Sequence, residues 1–228
     1  MITLYDLVAQ DDRRPSPFCW RAKFSLEHKG LKWTTVPVGF TEKDKISFAD
    51  SQLVPVIKDG ETGVKDSWAI ALHLDEAYPD KPLFKSEMAL SYARFVSGWV
   101  DTAVQPAMFP LVVGDLYSIV RPVDQPYFAE TRGKRLGTTD FMSFQAKARE
   151  KGVAAFRAVL EPVRRILREQ PFLSGNQAAY PDYALAGAFL WGGIASPLVL
   201  LEADDPVHAW RERMLDLYEG LGRKAKAA

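Results

Sequence analysis

The residues best suited to chemistry lie in the segment Ser16–Cys19, where the sequence predicts the start of a helix. Ser16 is a strong N-cap residue, Pro17 suits the first helical position, and Lys29-Gly30 marks the expected end of the helix. Free N–H groups and the positive dipole end of a helix favour an anion there, a thiolate included. Ser16 is therefore a candidate for holding an anionic sulfur, while helix capping alone remains the simpler interpretation of this residue.

The chain carries few reactive groups of its own. Cys19 is its only cysteine, so no intrachain disulfide and no thiolate-rich zinc site can form. At helical spacing Cys19 shares a face with Ala22 and Leu26, which predicts a buried packing residue. The three histidines, at 28, 73 and 208, lack the short spacing of metal ligands, and we expect no metal. Chemistry by this chain would need a reagent from outside.

Two further short segments have polar or backbone groups that could bind a ligand. Val54-Pro55 precedes a predicted strand, and a cis peptide there would leave the N–H and carbonyl of Val54 free. Asp66-Ser67 stands where a strand gives way to a helix. Ser67 is expected to cap that helix and to hold a carboxylate with the nearby N–H groups, and Asp66 would accept from an ammonium. Structural capping alone is again the simpler alternative.

The predicted elements divide the chain into two parts. Up to about residue 80, strands at 2–5, 33–38, 54–57 and 63–66 alternate with helices at 17–29 and 67–78, which predicts a small mixed sheet with helices on its faces. After the turn-rich residues 79–84 no strand pattern appears. Helices are predicted at 88–113, 143–169, 182–195 and 206–221, and 114–142 is expected to be a long functional connection.

The charge balance and the one long uncharged segment argue against a nucleic-acid-binding protein and against a membrane-spanning one. The 29 basic residues balance 29 acidic ones, which argues against a dedicated nucleic-acid binder. Residues 183–201 carry no charge over 19 positions, but Gly192-Gly193 and Ser196-Pro197 interrupt them and the flanks are acidic. We therefore expect a buried helix and no membrane span. The N-terminus shows no signal peptide pattern.

Several stretches together resemble the cytosolic glutathione transferases, and more narrowly their bacterial lignin β-aryl-etherase branch with its fungal relatives. The matching stretches are ITLYDL, SPFCWRAKFSLEHKG, VPVI, DSWAIALHLDEAYPDKP, LEPVRRIL, DYALAGAFLW and DDPVHAW through LDLYEGLGR. The resemblance implies an α/β plus all-α protein. Its parts would be a thioredoxin-like glutathione-binding domain at 1–80, a linker at 81–88 and an all-helical substrate-binding domain at 89–228. It also implies a cytoplasmic homodimer with a detoxifying or ether-cleaving role.

The resemblance assigns roles to matching positions. Ser16 would donate a hydrogen bond to the glutathione thiolate, and Val54, beside a cis Pro55, would pair with the cysteinyl backbone. Asp66 and Ser67 would hold the amine and the carboxylate of the γ-glutamyl end. Gln52 lies where the family often places a polar residue for the glycine end, whereas its neighbour Leu53 has no polar side chain for that contact.

A second departure from the family pattern lies in a later helix. The family usually places Ser or Thr three residues before the Asp of its capping motif, but Ala179 stands there in this chain. Asp182 is a folding residue in the family and not a catalytic one. It would still brace the helix without the hydroxyl cap.

The resemblance places the substrate pocket between the two domains. Its candidate lining residues are aromatic: Trp99, Phe109, Tyr117, Tyr127 and Phe128. The phenol of Tyr117 or Tyr127 could support a departing oxyanion, although each of the five could equally belong to the core. Arg121 and the segment 132–135 form a basic cluster nearby, which is either a solvated surface or an attraction for acidic substrates.

The implied reaction is attack of the glutathione thiolate on a hydrophobic or aromatic electrophile, including displacement of a phenolate from a β-aryl ether. Two alternatives remain at this stage. The first is a glutathione-dependent reductase or deglutathionylase that uses Cys19, although such family members usually carry Cys at the position of Ser16. The second is a non-catalytic protein that binds glutathione or another ligand.

Overall fold

The structure is a computed structural model that describes all residues, 1–228. Its sheet has four strands in the order β2-β1-β3-β4: β1 (Ile2–Leu7), β2 (Trp33–Val38), β3 (Val56–Asp59) and β4 (Thr62–Lys65). β1 pairs with β2 in parallel and with β3 antiparallel, and β3 and β4 form an antiparallel hairpin. The parallel pair is connected by a helix, as the alternating pattern predicts.

Two α-helices pack with this sheet: α1 (Pro17–Lys29) and α2 (Ser67–Ala77). A 3-10 helix at Lys43–Ala49 lies between β2 and β3. Gly30 ends α1 at a φ of 66°, the left-handed conformation that glycine adopts without a steric penalty. The predicted order of strands and helices in this thioredoxin-like part is therefore confirmed.

The rest of the chain is helical. The helices are α3 (Glu87–Trp99), α4 (Gln105–Ile119), α5 (Gln125–Leu136), α6 (Phe141–Val159), α7 (Glu161–Leu167), α8 (Tyr180–Ala195) and α9 (Pro206–Gly220). A π-helical turn, Val100–Val104, joins α3 to α4, and a 3-10 turn, Pro122–Asp124, precedes α5. None of these helices combines the length and the apolar character that crossing a bilayer requires.

Two of the predicted boundaries are wrong. The stretch 114–142 is not one long connection, because α4 continues to Ile119 and α5 occupies Gln125–Leu136. α5 buries only Phe128 and Gly133 fully, so its sequence lacks a broad apolar stripe. The helix predicted at 143–169 is two helices, α6 and α7, separated at Leu160, with Pro162 in the first turn of α7.

α8 is the central helix of the protein and is buried on nearly all sides, as its uncharged sequence predicts. At its start, Asp182 accepts hydrogen bonds from the backbone N–H groups of Leu173 (2.7 Å), Ser174 (3.2 Å) and Ala179 (3.2 Å). The indole N–H of Trp210 in α9 donates to the same carboxylate at 2.9 Å. The missing hydroxyl cap at Ala179 is thus replaced by one buried carboxylate, and burial raises the pKa of Asp182.

α8 also approaches the start of α1 very closely. A Cβ atom placed on Gly187 would lie 2.3 Å from the carbonyl oxygen of Pro17, so only glycine fits there. One turn along α1, the buried Arg21 pairs with Asp101 of the π-helical turn (2.5 Å) and donates to Ser97 of α3 (3.1 Å). These contacts fix the first turn of α1 against the helical part.

A second connection between the two parts lies after β2. Asp124 accepts from the backbone N–H and the hydroxyl of Thr41 (2.9 and 2.7 Å) and pairs with Nε of Arg121 at 2.7 Å. Arg121 also contacts Glu42 at 3.1 Å. Gly39 leaves room for this guanidinium, because a Cβ there would lie 1.6 Å from Nη2 of Arg121. The loop and the helices are therefore held by a shared ion-pair network.

Candidate functional site

Ser16 lies at the N-terminus of α1, as predicted, and is only 4% exposed. Its Oγ accepts a hydrogen bond from the backbone N–H of Cys19 at 3.2 Å. A hydroxyl group that accepts in this way keeps its own hydrogen available as a donor. The helix cap and the proposed thiolate contact are therefore compatible in one side chain.

Cys19 is fully buried in α1, as its helical spacing predicts. Burial raises the pKa of the Cys19 thiol far above its ordinary range, and the negative charge of Asp6 raises it further. A thiol in this state is not a nucleophile at neutral pH. The observation weakens the reductase alternative, which needs a reactive sulfur in the chain.

The segment before β3 has the local features that the sequence predicts. The Val54-Pro55 peptide bond is cis. Neither the N–H nor the carbonyl of Val54 hydrogen bonds to another backbone group. Gln52, Leu53 and Val54 all line the cavity described below, and the Leu53 side chain is 71% exposed. The N–H of Val54 can donate to an extended peptide-like ligand, and its carbonyl can accept a hydrogen bond from one.

The start of α2 differs from the prediction in one respect. Asp66, and not Ser67, is the N-cap: its Oδ1 accepts from the N–H groups of Trp68 (2.9 Å) and Ala69 (3.1 Å). A carboxylate that precedes the helix can reach two free N–H groups, whereas Ser67 is the first helical residue and its side chain is buried. Asp66 has a φ of 73°, a strained conformation for a residue with a Cβ.

A cavity of about 410 Å³ opens between the two parts of the chain, beside Ser16. Of the predicted pocket residues, Phe109, Tyr127 and Phe128 line it. Trp99 does not line it and packs, half-buried, on the core. Tyr117 does not line it either, because its ring packs on Phe141 (centroids 5.1 Å apart) and on Phe128 (5.8 Å). The sequence alone cannot separate residues that face a cavity from residues that face the core on adjacent helices.

The predicted glutathione residues do not all lie in this cavity. Ser16, Gln52 and Val54 line one side of it, which we name the Ser16 wall. Pro55, Asp66 and Ser67 are outside the lining, at the start of β3 and of α2. Asp66 nevertheless connects to this region, since its backbone N–H donates to the carbonyl of Pro55 at 3.2 Å.

A second side of the cavity is formed by one face of α5, which we name the α5 wall: Tyr127, Phe128, Arg132 and Arg135. The Arg132 guanidinium lies 5.1 Å from the ring centre of Phe128, and that of Arg135 lies 5.2 Å from the ring centre of Phe109. Burial lowers the pKa of Arg132, which is nevertheless charged at neutral pH because a guanidinium is not deprotonated in proteins. The basic residues predicted as one cluster therefore lie in two places. Arg132 and Arg135 line the cavity, whereas Arg121 belongs to the ion-pair network with Asp124 and Glu42.

Other cavity residues were not predicted. Phe18, Phe40 and Trp191 extend the apolar lining, and Asp101 contributes its only carboxylate. Phe18 directly follows the Ser16-Pro17 signal, so its position was readable from the sequence. Trp191 lies within the uniformly apolar α8, where no pattern distinguishes a cavity residue from a core residue.

Two family models match the chain in succession. The glutathione S-transferase N-terminal domain matches residues 12–82, and the glutathione S-transferase C-terminal domain matches residues 91–198. Together they cover most of both parts of the fold, and the boundary between them falls in the turn-rich segment before α3.

Proteins that are similar in sequence or in structure are also named glutathione transferases. The glutathione S-transferase-like protein ustS of Aspergillus flavus is 31% identical over 150 residues, which are 59% of this chain and 52% of that protein. Glutathione S-transferase Z1 of Arabidopsis thaliana is 32% identical over 73 residues, or 30% of this chain and 33% of that protein. The matches therefore span between a third and about half the length of these curated relatives.

Two solved structures superpose over nearly the whole chain. Glutathione transferase GSTFuA3 from Phanerochaete chrysosporium has a TM-score of 0.75 and 26% identity, and the match covers 99% of this chain and 94% of that one. A glutathione S-transferase of Ceriporiopsis subvermispora, solved in complex with glutathione, has a TM-score of 0.80 and 22% identity, with 96% of each chain covered. The second likeness concerns the fold alone.

Proposed function

The chain belongs to the glutathione S-transferase family, and from this premise we propose that it transfers the sulfur of glutathione to an aromatic or otherwise apolar electrophile. The Ser16 wall would hold glutathione and the α5 wall would hold the electrophile. The observation that carries the proposal is Ser16, which lies at a helix N-terminus, lines the cavity and has a hydroxyl hydrogen free to donate.

The first step is activation of the thiol. Free glutathione has a thiol pKa of about 8.5, so little of it is thiolate at neutral pH. The donated hydrogen bond of Ser16 and the positive end of α1 both favour the thiolate. A pKa lowered by about 1.5 units corresponds to about 2 kcal/mol, which these two interactions can supply without a protein base.

The second step is displacement. The thiolate attacks the electrophilic carbon, a C–S bond forms, and the bond from that carbon to the leaving group breaks. With a β-aryl ether the leaving group is a phenolate, and the products are a glutathione thioether and a phenol once a solvent proton is taken up. Tyr127, which lines the cavity, is the residue we assign to support the departing oxygen, since Tyr117 lies outside the lining.

The residues outside the cavity complete the proposed glutathione site. Asp66 would hold the ammonium and Ser67 the carboxylate of the γ-glutamyl end, with Pro55 placing the backbone of Val54 against the cysteinyl unit. The exposure of Asp66 and the unpaired backbone groups of Val54 support this assignment. Gln52 would take the glycine end.

We also propose that the chain acts as a homodimer in the cytoplasm, where glutathione is kept reduced, and that its role there is detoxification or ether cleavage. Large apolar side chains are exposed on α3, with Met88 at 79% and Phe95 at 73%, seven residues apart and so on one face. Such side chains are typical of a surface that a partner covers. Sedimentation velocity should give a dimer, and Phe95→Glu should shift it to monomer; a monomeric wild type would contradict the proposal.

The test of the proposed function is a glutathione-dependent turnover screen with a β-aryl ether, an aryl halide and a disulfide side by side. We expect turnover of the aryl halide or of the ether and none of the disulfide, because the only thiol of the chain, Cys19, is buried. Turnover of the disulfide alone would favour the reductase. Glutathione binding without turnover of any of the three would favour a carrier.

A further inference from the structure

The cavity lining contains three cationic side chains, Lys43, Arg132 and Arg135, and one carboxylate. Lys43 lies between the two walls, because it donates to the backbone carbonyl of Gln52 and lies 5.3 Å from the ring centre of Tyr127. Asp101 is the only carboxylate of the lining, and it is neutralised by the buried Arg21. The α5 wall thus presents Arg132 and Arg135 to a cavity that has no free negative charge.

The two arginines of the α5 wall lack carboxylate partners within the protein. Arg132 makes one hydrogen bond, to the hydroxyl of Thr131 at 2.8 Å, and Arg135 makes none. Arg149 and Arg164, on the following helices, are instead paired with Asp115 (2.6 Å) and Asp205 (2.9 Å). Arg132 is half-buried, and a guanidinium in that position without a counter-charge costs free energy, which an anion in the cavity would offset; Arg135 is exposed and adds its charge at the edge of the cavity.

Aromatic rings fix the orientation of these guanidinium groups. Arg132 lies over Phe128 and Phe40, at 5.1 and 5.6 Å, and Arg135 lies over Phe109 at 5.2 Å. A guanidinium that stacks on a ring keeps its N–H groups in its own plane, where they can bind a carboxylate with two parallel hydrogen bonds. The same rings form the apolar lining for an aromatic substrate.

From this arrangement we infer that the α5 wall selects electrophiles that combine an aromatic body with a carboxylate group. The aromatic body lies against Phe109 and Phe128, and the carboxylate is bound by Arg132, with Arg135 adding positive charge. The electrophilic carbon then faces the Ser16 wall, where the thiolate is held. This inference rests on the proposed function, since it names the substrate class of the same cavity.

The test uses two acceptors that differ in one group, 4-chloro-3,5-dinitrobenzoate and the corresponding benzamide. Glutathione displaces chloride from both. The quantity of interest is the ratio of kcat/KM for the acid to kcat/KM for the amide, compared between the wild type and the variants Arg132→Gln and Arg135→Gln. Comparing ratios removes the difference in intrinsic reactivity between the two acceptors. Lys134→Gln is the matched control, because Lys134 lies on the same helix but is exposed and paired with Glu130.

We expect Arg132→Gln to lower the ratio about tenfold, the effect of one charge-assisted hydrogen bond, and Arg135→Gln to lower it less. Lys134→Gln should leave the ratio unchanged, and the KM for glutathione measured with the amide should not change in any variant. Should Arg132→Gln lower the melting temperature, the exposed Arg135→Gln supplies the same comparison. A ratio unaffected in both variants would overturn the inference. A KM for glutathione that rises equally with both acceptors would also overturn it, because the arginines would then bind glutathione.

A binding measurement separates this inference from the proposed function. The preformed conjugates of glutathione with the acid and with the amide need no turnover, and calorimetry gives their Kd values directly. If neither acceptor is turned over, the proposed function fails, but tighter binding of the acid conjugate that is lost in Arg132→Gln still supports the selective α5 wall. Equal Kd values for the two conjugates would contradict it.

Discussion

The two walls of the cavity are built from different kinds of structure. The Ser16 wall consists of a helix N-terminus and an extended segment beside a cis proline, and it offers a hydroxyl and backbone groups. The α5 wall consists of one helix face and offers aromatic rings and two guanidinium groups without carboxylate partners. In the proposed function the Ser16 wall binds glutathione, which is the same in every reaction, and the α5 wall binds the electrophile, which can vary.

The difference between the walls shows where local sequence determines a site. The Ser16 wall depends on a cap, a proline and a turn, which act within a few residues. The α5 wall depends on which face of a helix meets the cavity, and tertiary packing decides that. Substitutions that disturb only one wall should therefore change either the binding of glutathione or the selectivity for the electrophile, but not both equally.

The largest effect is expected from Asp182→Ala, which removes the carboxylate that braces α8, the helix packed on α1 and α4. Four donors, three backbone N–H groups and the indole of Trp210, would lose their acceptor, and those of Leu173 and Trp210 are buried. We expect a loss of about 3 kcal/mol or more in the free energy of unfolding, measured by urea denaturation. The exposed Asp204→Ala is the control and should stay within about 0.5 kcal/mol. A wild-type stability for Asp182→Ala would show that α8 does not need this carboxylate.

Gly187→Ala should disturb the Ser16 wall in particular. The added Cβ collides with the carbonyl of Pro17, and overpacking of this kind costs about 1–3 kcal/mol. Gly193→Ala, in the same helix, meets nothing within 4 Å and should be neutral or slightly stabilising. We expect Gly187→Ala to weaken glutathione binding more than it changes the acid-to-amide ratio. Equal melting temperatures for the two variants would contradict the close contact of α8 with α1.

Arg121→Gln tests the ion-pair network of Arg121 with Glu42 and Asp124. The stability that this network adds is expected to depend on pH. A hydrogen bond from Lys45, with further donors from Gly39 and Arg121, lowers the pKa of Glu42 to about 2. Against the opposing effect of burial, hydrogen bonds from Arg121 and Thr41 lower the pKa of Asp124. A lowered carboxyl pKa adds stability that is present above the pKa of the unfolded state and is lost as the pH falls.

The wild type should accordingly lose part of its stability as the pH falls from about 4.5, the ordinary pKa of a glutamate, towards 2. Arg121→Gln should be less stable by about 1 kcal/mol at pH 7, because the network is partly exposed, and should lose less on acidification. The exposed Lys151→Gln, which removes no ion pair, should follow the wild-type curve. Parallel curves for Arg121→Gln and the wild type would exclude a contribution of this network.

The smallest effect on stability is expected from a pair of N-cap variants, Asp66→Ala and Ser86→Ala. Both side chains accept from helix N–H groups, and each loss costs about 0.5–1 kcal/mol. Only Asp66→Ala should weaken glutathione binding in calorimetry, because Ser86 begins α3 outside the proposed site. The same glutathione affinity in both variants would remove Asp66 from the site.

Much of the fold followed from the sequence, and the site followed in part. The strands and helices up to Ala77 follow from local signals such as Ser16-Pro17, Lys29-Gly30 and the Val54-Pro55 strand start. The helix α5 was missed because only one of its large side chains is fully buried, and Pro122 before its start and Pro126 at its start are typical of a connection. Trp99 and Tyr117 were misplaced because helical spacing identifies an apolar face but not what covers it.

The N-cap of α2 shows a further limit. Asp66 and Ser67 are both good capping residues, and the difference between them depends on the backbone, which holds Asp66 at a φ of 73°. Asp66 follows directly on β4, and its backbone N–H is held by the carbonyl of Pro55, a residue distant in sequence. Ion pairs such as Arg121 with Asp124 likewise depend on long-range packing.

The central claim is that Ser16 stabilises the thiolate of bound glutathione. The most direct test is a titration of thiolate absorbance against pH for glutathione bound to the wild type, to Ser16→Ala and to Cys19→Ala. We expect the thiol pKa to rise by about 1–1.5 units in Ser16→Ala and to stay unchanged in Cys19→Ala, which keeps the backbone N–H that orients Ser16. An unshifted titration in Ser16→Ala would contradict the account.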